Sequence, residues 1–324
     1  MLVGVAIAIC YLGNGEAFAA ESSGGTLREF FAAHSFAGAR LERRPGNHLF
    51  VSANINGKRT ALFVDTGAPA TLIDKNSVGT LGLSTRGTNV NYGGVFGKRW
   101  EHFAVSKLNS VAMGNCTITN VPVALADESD MNSQSNLTHI DGLFGAREML
   151  KFGMVIDCSR QMLYISPTGP SAAVSQQLAA LLTGRGFTRI PLRLTASHHF
   201  EASASINGHP TRVIVDTGAS TTLLEKEIAV QDGVTPGTFG GFRMTSDAGE
   251  GRRVSLSSGF VKELQIGDFK IPNAEVTLAP ISPSMLRSKA SGEPMAGILG
   301  EEYLSLNFGV IDLGGMALFL RHPD

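Results

Sequence analysis

The sequence predicts an all-β protein made of two related lobes with short helices. Three observations lead to that prediction. An apolar run ending in Asp-Thr-Gly-Ala occurs twice, at Asp65 to Ala68 and at Asp216 to Ala219. The flanking pieces repeat in the same order. Ser52-Ala53-Asn54-Ile55-Asn56-Gly57 precedes the first copy and Ser203-Ala204-Ser205-Ile206-Asn207-Gly208 the second, both at the 151-residue offset that separates the aspartates. Gly142-Leu143-Phe144-Gly145 and Val155-Ile156-Asp157 recur as Gly297-Ile298-Leu299-Gly300 and Val310-Ile311-Asp312, at an offset of 155. Constant order and near-constant spacing mark an internal duplication. The third observation is texture: the segments between these landmarks are short, alternating or wholly apolar, and separated by Gly, Asn, Pro or Ser, which is how strands read. The 38 glycines favour turns over long helices.

The elements follow in order. Leu2 to Leu12 is an apolar run too short to span a bilayer, and Ala17-Phe18-Ala19 supplies a small-x-small cleavage pattern. Residues 1–19 therefore read as a signal peptide, although no Lys or Arg precedes the apolar run, and the protein is expected to be exported, to a periplasm or outside the cell. Residues 20–46 read as an N-terminal extension with one amphipathic helix over Leu27 to Phe36. Residues 47–165 form the first lobe. Strands are expected at Leu49 to Ile55, Thr60 to Val64, Ser110 to Met113 and Thr117 to Leu125, then a helix over Ala146 to Phe152 and a hairpin from Met154 to Ile165. Residues 166–186 read as a linker, with a short helix over Val174 to Leu182 closed by Gly184 and Gly186. Residues 187–324 repeat the first lobe's order.

Composition narrows the function. A net charge of −1 offers no basic surface for nucleic acid or an anionic membrane, so neither is expected as a partner. No stable membrane span is predicted. His198-His199, read as part of a strand, sends its rings to opposite faces. The chain has no His-Glu-x-x-His, and Asp127-Glu128-Ser129-Asp130 lacks the rest of a calcium loop, so neither metal nor cofactor is expected. Cys116 and Cys158 remain after the signal; a disulfide and two buried thiols both fit them. No Gly-x-Ser-x-Gly elbow is present.

What remains is the chemistry of the two loops. A strand that runs into Asp-Thr-Gly presents a carboxylate on a turn, with the glycine read as supplying an unusual backbone conformation. If two such loops meet, their carboxylates cannot both ionise easily. One stays protonated while the other is charged. The charged group can take a proton from water and the neutral one can give a proton to a carbonyl oxygen. Asp65 and Asp216 are the candidate catalytic residues.

Asp65-Thr66-Gly67-Ala68, Asp216-Thr217-Gly218-Ala219 and the two apolar-apolar-Gly elements resemble those of the retropepsin-like aspartic proteases, within the wider pepsin clan. The resemblance spans about Asn47 to Leu320. It implies two acid-protease β lobes related by a pseudo-twofold axis, with the active site between them, and aspartic endopeptidase activity on a peptide or protein substrate. Because one chain carries both halves, it implies a monomer. Thr66, Gly67, Thr217 and Gly218 would support the loops, with the threonine hydroxyls linking them beneath the aspartates. Ala68 and Ala219 would line the substrate site. Two flaps would cover it, one carrying Tyr92, Gly93 and Gly94, the other Gly240 and Gly241. Asp157 and Asp312, though also repeated, open hairpins and read as turn-shaping. A peptide-binding module that has kept the fold and lost turnover is the competing reading; two intact Asp-Thr-Gly copies speak against it.

Overall fold

The computed structural model describes residues 25–87, 92–93, 99–100, 104–127, 140–239, 244–247, 253–282 and 294–323. The expected signal peptide, Gly94, Gly240 and Gly241 lie outside the described residues.

Helix α1 (Leu27–Ala33) comes first, capped by Thr26, whose hydroxyl accepts from Glu29 N–H while the Glu29 carboxylate accepts in return from Thr26 N–H. It stops at Ala33, three residues short of the expected end, where His34 leaves helical geometry. The first half continues with β1 (Ala37–Arg44), β2 (His48–Ile55), β3 (Lys58–Asp65), β4 (Leu72–Asp74), β5 (Arg86–Gly87), β6 (Tyr92–Gly93), β7 (Arg99–Trp100), β8 (Ala104–Met113), β9 (Cys116–Ala126), β10 (Gly142–Gly145), α2 (Ala146–Lys151), β11 (Val155–Asp157) and β12 (Met162–Ile165). Helix α3 (Ala172–Thr183) opens the second half. It is followed by β13 (Thr188–Pro191), β14 (Arg193–Leu194), β15 (Phe200–Ile206), β16 (His209–Val215), β17 (Leu223–Glu225), α4 (Lys226–Gln231), β18 (Thr235–Gly237), β19 (Met244–Asp247), β20 (Arg253–Ile266), β21 (Phe269–Ala279), β22 (Met295–Leu299), α5 (Glu301–Leu306), β23 (Val310–Asp312) and β24 (Ala317–Leu320).

Each half closes a six-stranded barrel. In the first, the order β2-β3-β10-β4-β9-β8 returns to β2 through pairing of Ala53 to Ile55 with Val111 to Met113. In the second, β15-β16-β22-β17-β21-β20 returns to β15 through Ala204 to Ile206 and Leu264 to Ile266. Closure removes the exposed edges that open sheets must otherwise protect. The barrels are joined by a layer to which both halves contribute, in the order β1-β12-β11-β23-β24-β13. At its centre β11 and β23 pair antiparallel, Val155 with Asp312, Ile156 with Ile311 and Asp157 with Val310, so the repeat's own symmetry passes through this pair.

Two boundaries differ from the sequence reading. The 20–46 segment contains β1, whose first half pairs with β12 and whose second half pairs with β2, with Ala37, Ala39 and Leu41 turned inward. Its counterpart at the 151 offset is split into β13, which pairs with β24, and β14, which pairs with β15. Helix α3, within the expected linker, is likewise the counterpart of α1. Leu27, Phe31, Leu178, Leu182 and Phe187 bury together against Tyr164 and Phe319 of the shared layer. Each repeat therefore begins with its helix. The sequence hides this because the buried positions keep only their apolar character between the two copies, while the exposed faces have diverged.

His198-His199 lies in the turn before β15 and not within a strand, with His198 at a φ of 64°. Cys116 and Cys158 are both buried and free, which decides between the two cysteine readings. Asp157 and Asp312 shape turns as expected. Asp157 accepts from Arg160 N–H at 3.0 Å and Asp312 from Gly315 N–H at 2.8 Å. Among the described residues no helix is long and apolar enough to cross a membrane.

Candidate active site

Both barrels are built to carry one loop to the middle of the molecule. Strand β3 ends on Asp65, held on one side by the parallel strand β10, with Gly145 opposite Asp65. Strand β16 ends one residue before Asp216, held by β22, and Asp216 N–H donates to the Leu299 carbonyl at 3.1 Å. Beyond each apolar-apolar-Gly element the chain turns back onto the loop. Ala146 N–H donates to the Ala68 carbonyl and Glu301 N–H to the Ala219 carbonyl, both at 2.8 Å. A Cβ on Gly145 would strike the backbone at Ala70, and one on Gly300 the backbone at Thr221, so both glycines are needed for close approach.

The loops meet tip to tip. Thr66 and Thr217, both fully buried, are linked crosswise. Thr217 Oγ1 accepts from Thr66 N–H at 3.1 Å and donates to the Val64 carbonyl at 2.8 Å. Thr66 Oγ1 accepts from Thr217 N–H at 3.0 Å and donates to the Val215 carbonyl at 2.9 Å. The four bonds tie strand end to strand end and complete the support expected of the threonines.

Above this link the two carboxyl groups lie together, each about 1 % exposed, and the Gly67 N–H reaches an oxygen of both. Asp65 Oδ1 accepts from Gly67 N–H at 2.9 Å and Ala68 N–H at 3.0 Å. Asp216 Oδ1 accepts from Gly218 N–H at 2.7 Å and, across the axis, from Gly67 N–H at 3.1 Å. Gly67 and Gly218 are not in the left-handed region, which corrects the backbone role read from sequence. A Cβ at Gly67 would lie within van der Waals contact of the Asp216 carboxyl, and one at Gly218 within that of Asp65. The motif's glycine makes room for the opposite aspartate.

Burial raises both aspartates above the ordinary carboxylate range. Asp216 is raised further: after burial, the charge of Asp65 is the largest cause. In Asp65 the bonds from Asp216, Gly67 and Ala68 work in the opposite direction. The pair titrates as one unit with a shared proton.

Two carboxylates that the sequence did not single out lie behind the loops. Glu148 Oε2 accepts from Thr71 N–H at 2.9 Å and Thr71 Oγ1–H at 2.8 Å, while Thr71 Oγ1 accepts from Gly145 N–H at 3.1 Å. In the second half Thr222 Oγ1 accepts from Gly300 N–H at 3.0 Å, and Thr222 N–H donates to Glu302. The acids sit three and two residues past their glycines, so strict alignment of the repeats hides the shared role. Burial lifts Glu302 to about 7. Ala68 and Ala219 are buried beside their aspartates, at 2 % and 3 % exposure. Tyr92 pairs with Trp100 and Gly93 with Arg99, an antiparallel two-stranded ladder at the expected first flap. In the second half, β19 pairs with the start of β20 just beyond Gly240 and Gly241. Among the described residues no cluster of His, Cys, Asp and Glu is arranged to hold a metal ion.

A family model described as aspartyl protease matches the chain twice, over residues 51–147 and 202–303, more than half of its length and once per barrel. The chain belongs to the aspartyl protease family. Among solved structures it is similar to the aspartic proteinase from Irpex lacteus, at 16 % identity and TM-score 0.49, covering 90 % of this chain and 98 % of that one. It is similar to a retropepsin-like aspartic protease from Rickettsia conorii at 20 % identity and TM-score 0.28, covering 40 % of this chain and 90 % of that one. Basic 7S globulin from soybean matches at 11 % identity and TM-score 0.46, covering 88 % and 94 %. No curated protein matches the chain. Two Asp-Thr-Gly loops facing one another in two β lobes are the aspartic protease arrangement, within a single chain.

Proposed function

We propose that this aspartyl protease family member is an aspartic endopeptidase that hydrolyses peptide bonds with water activated between Asp65 and Asp216. The observation that carries the reading is the carboxyl pair itself: two buried carboxyls brought together on facing loops and sharing the Gly67 N–H as a donor. A charged Asp65 is suited to take a proton from the attacking water. A protonated Asp216 is suited to donate to the peptide carbonyl oxygen, so that the tetrahedral adduct forms without a free oxyanion. Collapse of the adduct returns a proton to the leaving amine. The backbone N–H groups hold both carboxyls through the cycle, so little reorganisation accompanies the chemistry.

Gly93 in the first hairpin, together with Gly94, Gly240 and Gly241, suits flaps that close over an extended peptide. Ala68 and Ala219 place small side chains at the substrate floor. The Ala17-Phe18-Ala19 pattern supports export, and a processing protease with few targets is the role we favour. A monomer is the expected active species, since both loops come from one chain.

The test is cleavage of a diverse peptide library, with and without pepstatin. Pepstatin-sensitive cleavage at internal bonds is the expected result. Tight peptide binding without cleavage by the wild type would replace this reading with the binding-module one.

A further inference from the structure

Arg43 lies on β1, the strand that the sequence reading placed outside the first lobe, and its guanidinium reaches into the second half. Nη2 donates to Glu301 Oε1 at 2.7 Å and to the Cys158 carbonyl at 2.6 Å. Nη1 donates to Asn47 Oδ1 at 2.7 Å. The strand beneath is held too, since Arg43 N–H donates to Gln161 Oε1 at 3.0 Å. The Glu301 carboxyl is fully buried and the Arg43 side chain is 21 % exposed. Three acceptors held in one geometry by a planar fork are an arrangement that arginine suits and lysine does not.

Two of these partners in turn hold the Asp216 loop. Glu301 N–H donates to the Ala219 carbonyl at 2.8 Å, and Asn47 Nδ2 donates to the Ser220 carbonyl at 3.3 Å. Ala219 directly follows Gly218, whose N–H donates to Asp216 Oδ1 at 2.7 Å. A chain of bonds therefore runs from a first-half guanidinium to the stem of the loop that carries Asp216. The Asp65 loop lacks an equivalent set. At the offsets of the repeat, Arg43, Asn47 and Glu301 correspond to Leu194, His198 and Ala146. Leu194 and Ala146 have no hydrogen-bonding side chain. The carbonyls of Ala68 and Pro69 are held instead by the N–H groups of Ala146 and Arg147, from their own half.

We propose that Arg43 is a positioning residue for the Asp216 loop: from the first half its guanidinium fixes Glu301 and Asn47, and these hold the carbonyls of Ala219 and Ser220 in the second. The threonine link fixes the two loop tips, and the Arg43 cluster fixes one stem behind them. Without the guanidinium, Glu301 Oε1 loses its donor in a site closed to water, and a buried carboxyl without a partner is costly enough to move. The start of α5 would move with it and release the Ala219 carbonyl. Turnover depends on the placement of the reacting groups to within an ångström, whereas substrate affinity depends on the wider cleft. Loss of Arg43 should therefore appear in kcat and not in KM.

The kinetic part of this inference rests on the endopeptidase reading; the structural part does not. The experiment compares Arg43→Ala, Arg43→Lys, Glu301→Ala and the double alanine variant in the full chain by two measurements. In amide hydrogen exchange, Arg43→Ala should speed exchange at 217–220 by about tenfold, as for loss of one net hydrogen bond to a charged group, and spare 66–68. In peptide cleavage it should lower kcat by about tenfold at nearly constant KM. Arg43→Lys keeps the charge without the fork and should recover part of both readings. The double variant should be scarcely worse than either single alanine, because the two residues act through one brace. Exchange that changes equally in both loops, or in neither, would overturn the one-sided brace. A raised KM with kcat unchanged, or losses that add in the double variant, would overturn the positioning role. If Arg43→Ala does not fold, Arg43→Lys decides by the same pattern at smaller size. If the wild type cleaves no peptide, the endopeptidase reading fails by itself, and the exchange pattern still decides the brace.

Discussion

Replacing Thr217 with Val tests whether the crosswise link holds the active site together. Valine matches threonine in shape and removes only the hydroxyl. In a site with no solvent access, the change leaves Thr66 N–H without its 3.1 Å acceptor and the Val64 carbonyl without its 2.8 Å donor. A buried polar group left without a partner costs about 1–3 kcal/mol, so two such groups predict a loss of about 2–6 kcal/mol. That is a large part of the ~5–15 kcal/mol that typically holds a folded domain. Thr217→Ser keeps the hydroxyl and loses only a methyl group, at about 1 kcal/mol. The four bonds of the link are distinct, but they clamp the same two loops. Cutting one pair lets the loops part and weakens the other, so Thr66→Val with Thr217→Val should cost less than the two single changes added together. Urea denaturation gives the stabilities and peptide cleavage gives kcat, which should fall sharply in the Val variants and little in the Ser variant. The reasoning fails if Thr217→Val unfolds within about 0.5 kcal/mol of the wild type, or if Ser and Val are equally damaging.

Asp65→Asn and Asp216→Asn should each remove nearly all turnover, and the double variant should be scarcely worse than either, because groups acting as a unit lose function non-additively; single-turnover cleavage measures this. Ala68→Ser with Ala219→Ser adds hydroxyl donors beside the carboxylates, which favour the charged form, so the acid limb of kcat/KM should move to lower pH. Glu302, lifted by burial from 4.5 to about 7, keeps its proton in the folded state after the unfolded chain has released it, so its contribution to stability is complete below about 4.5 and lost as pH rises to about 7. Glu302→Gln should remove that part of the fall in urea-derived stability between those two pH values, and identical pH slopes in both proteins would refute the assignment. Specific activity should stay constant on dilution, since one chain supplies both loops; a loss reversed by concentrating would mean the site forms between chains.

The sequence shows most of the site and about half of the architecture, for a physical reason. Asp65, Thr66, Gly67 and their counterparts touch the opposite loop through specific atoms. A Cβ on either glycine would strike a carboxyl, and a lost threonine hydroxyl would orphan a buried N–H. Those positions admit few substitutions and stay recognisable in both copies. Positions that need only an apolar side chain drift. Leu27 faces Leu178, but Phe31 corresponds to Leu182 and Ala39 to Ile190, so α1 and β1 look like an unrelated extension although they are buried parts of the first repeat. The layer joining the lobes was invisible for another reason. The pairing of β11 with β23 is set by how the two barrels pack, and neither strand's pattern names its partner. Glu148 and Glu302 were hidden by a one-residue shift between copies.

Duplication supplies two equal carboxylates, but the proposed reaction needs two unequal ones. The described bonds break the symmetry. Gly67 N–H reaches both aspartates, at 2.9 Å and 3.1 Å, and Ala68 N–H adds a second bond to Asp65 from its own loop at 3.0 Å. Both Ala68 N–H and its counterpart Ala219 N–H reach the backbone carbonyl of their own aspartate, at 3.4 Å and 3.3 Å, and only Ala68 N–H also has a bond to the carboxylate. Asp65 thus receives two N–H bonds from its own loop, whereas Asp216 receives one from its own and one from its partner's. The rings before the loops diverge likewise: His199 meets the hydroxyl of Ser197 at 3.0 Å, while His48 meets that of Ser220 at 3.4 Å. Each carboxylate accepts two N–H bonds, but the donors come from different loops, so the shared proton meets unequal surroundings on its two sides. The copies are alike where the loops must fit each other and unlike in the donors that hold each carboxylate.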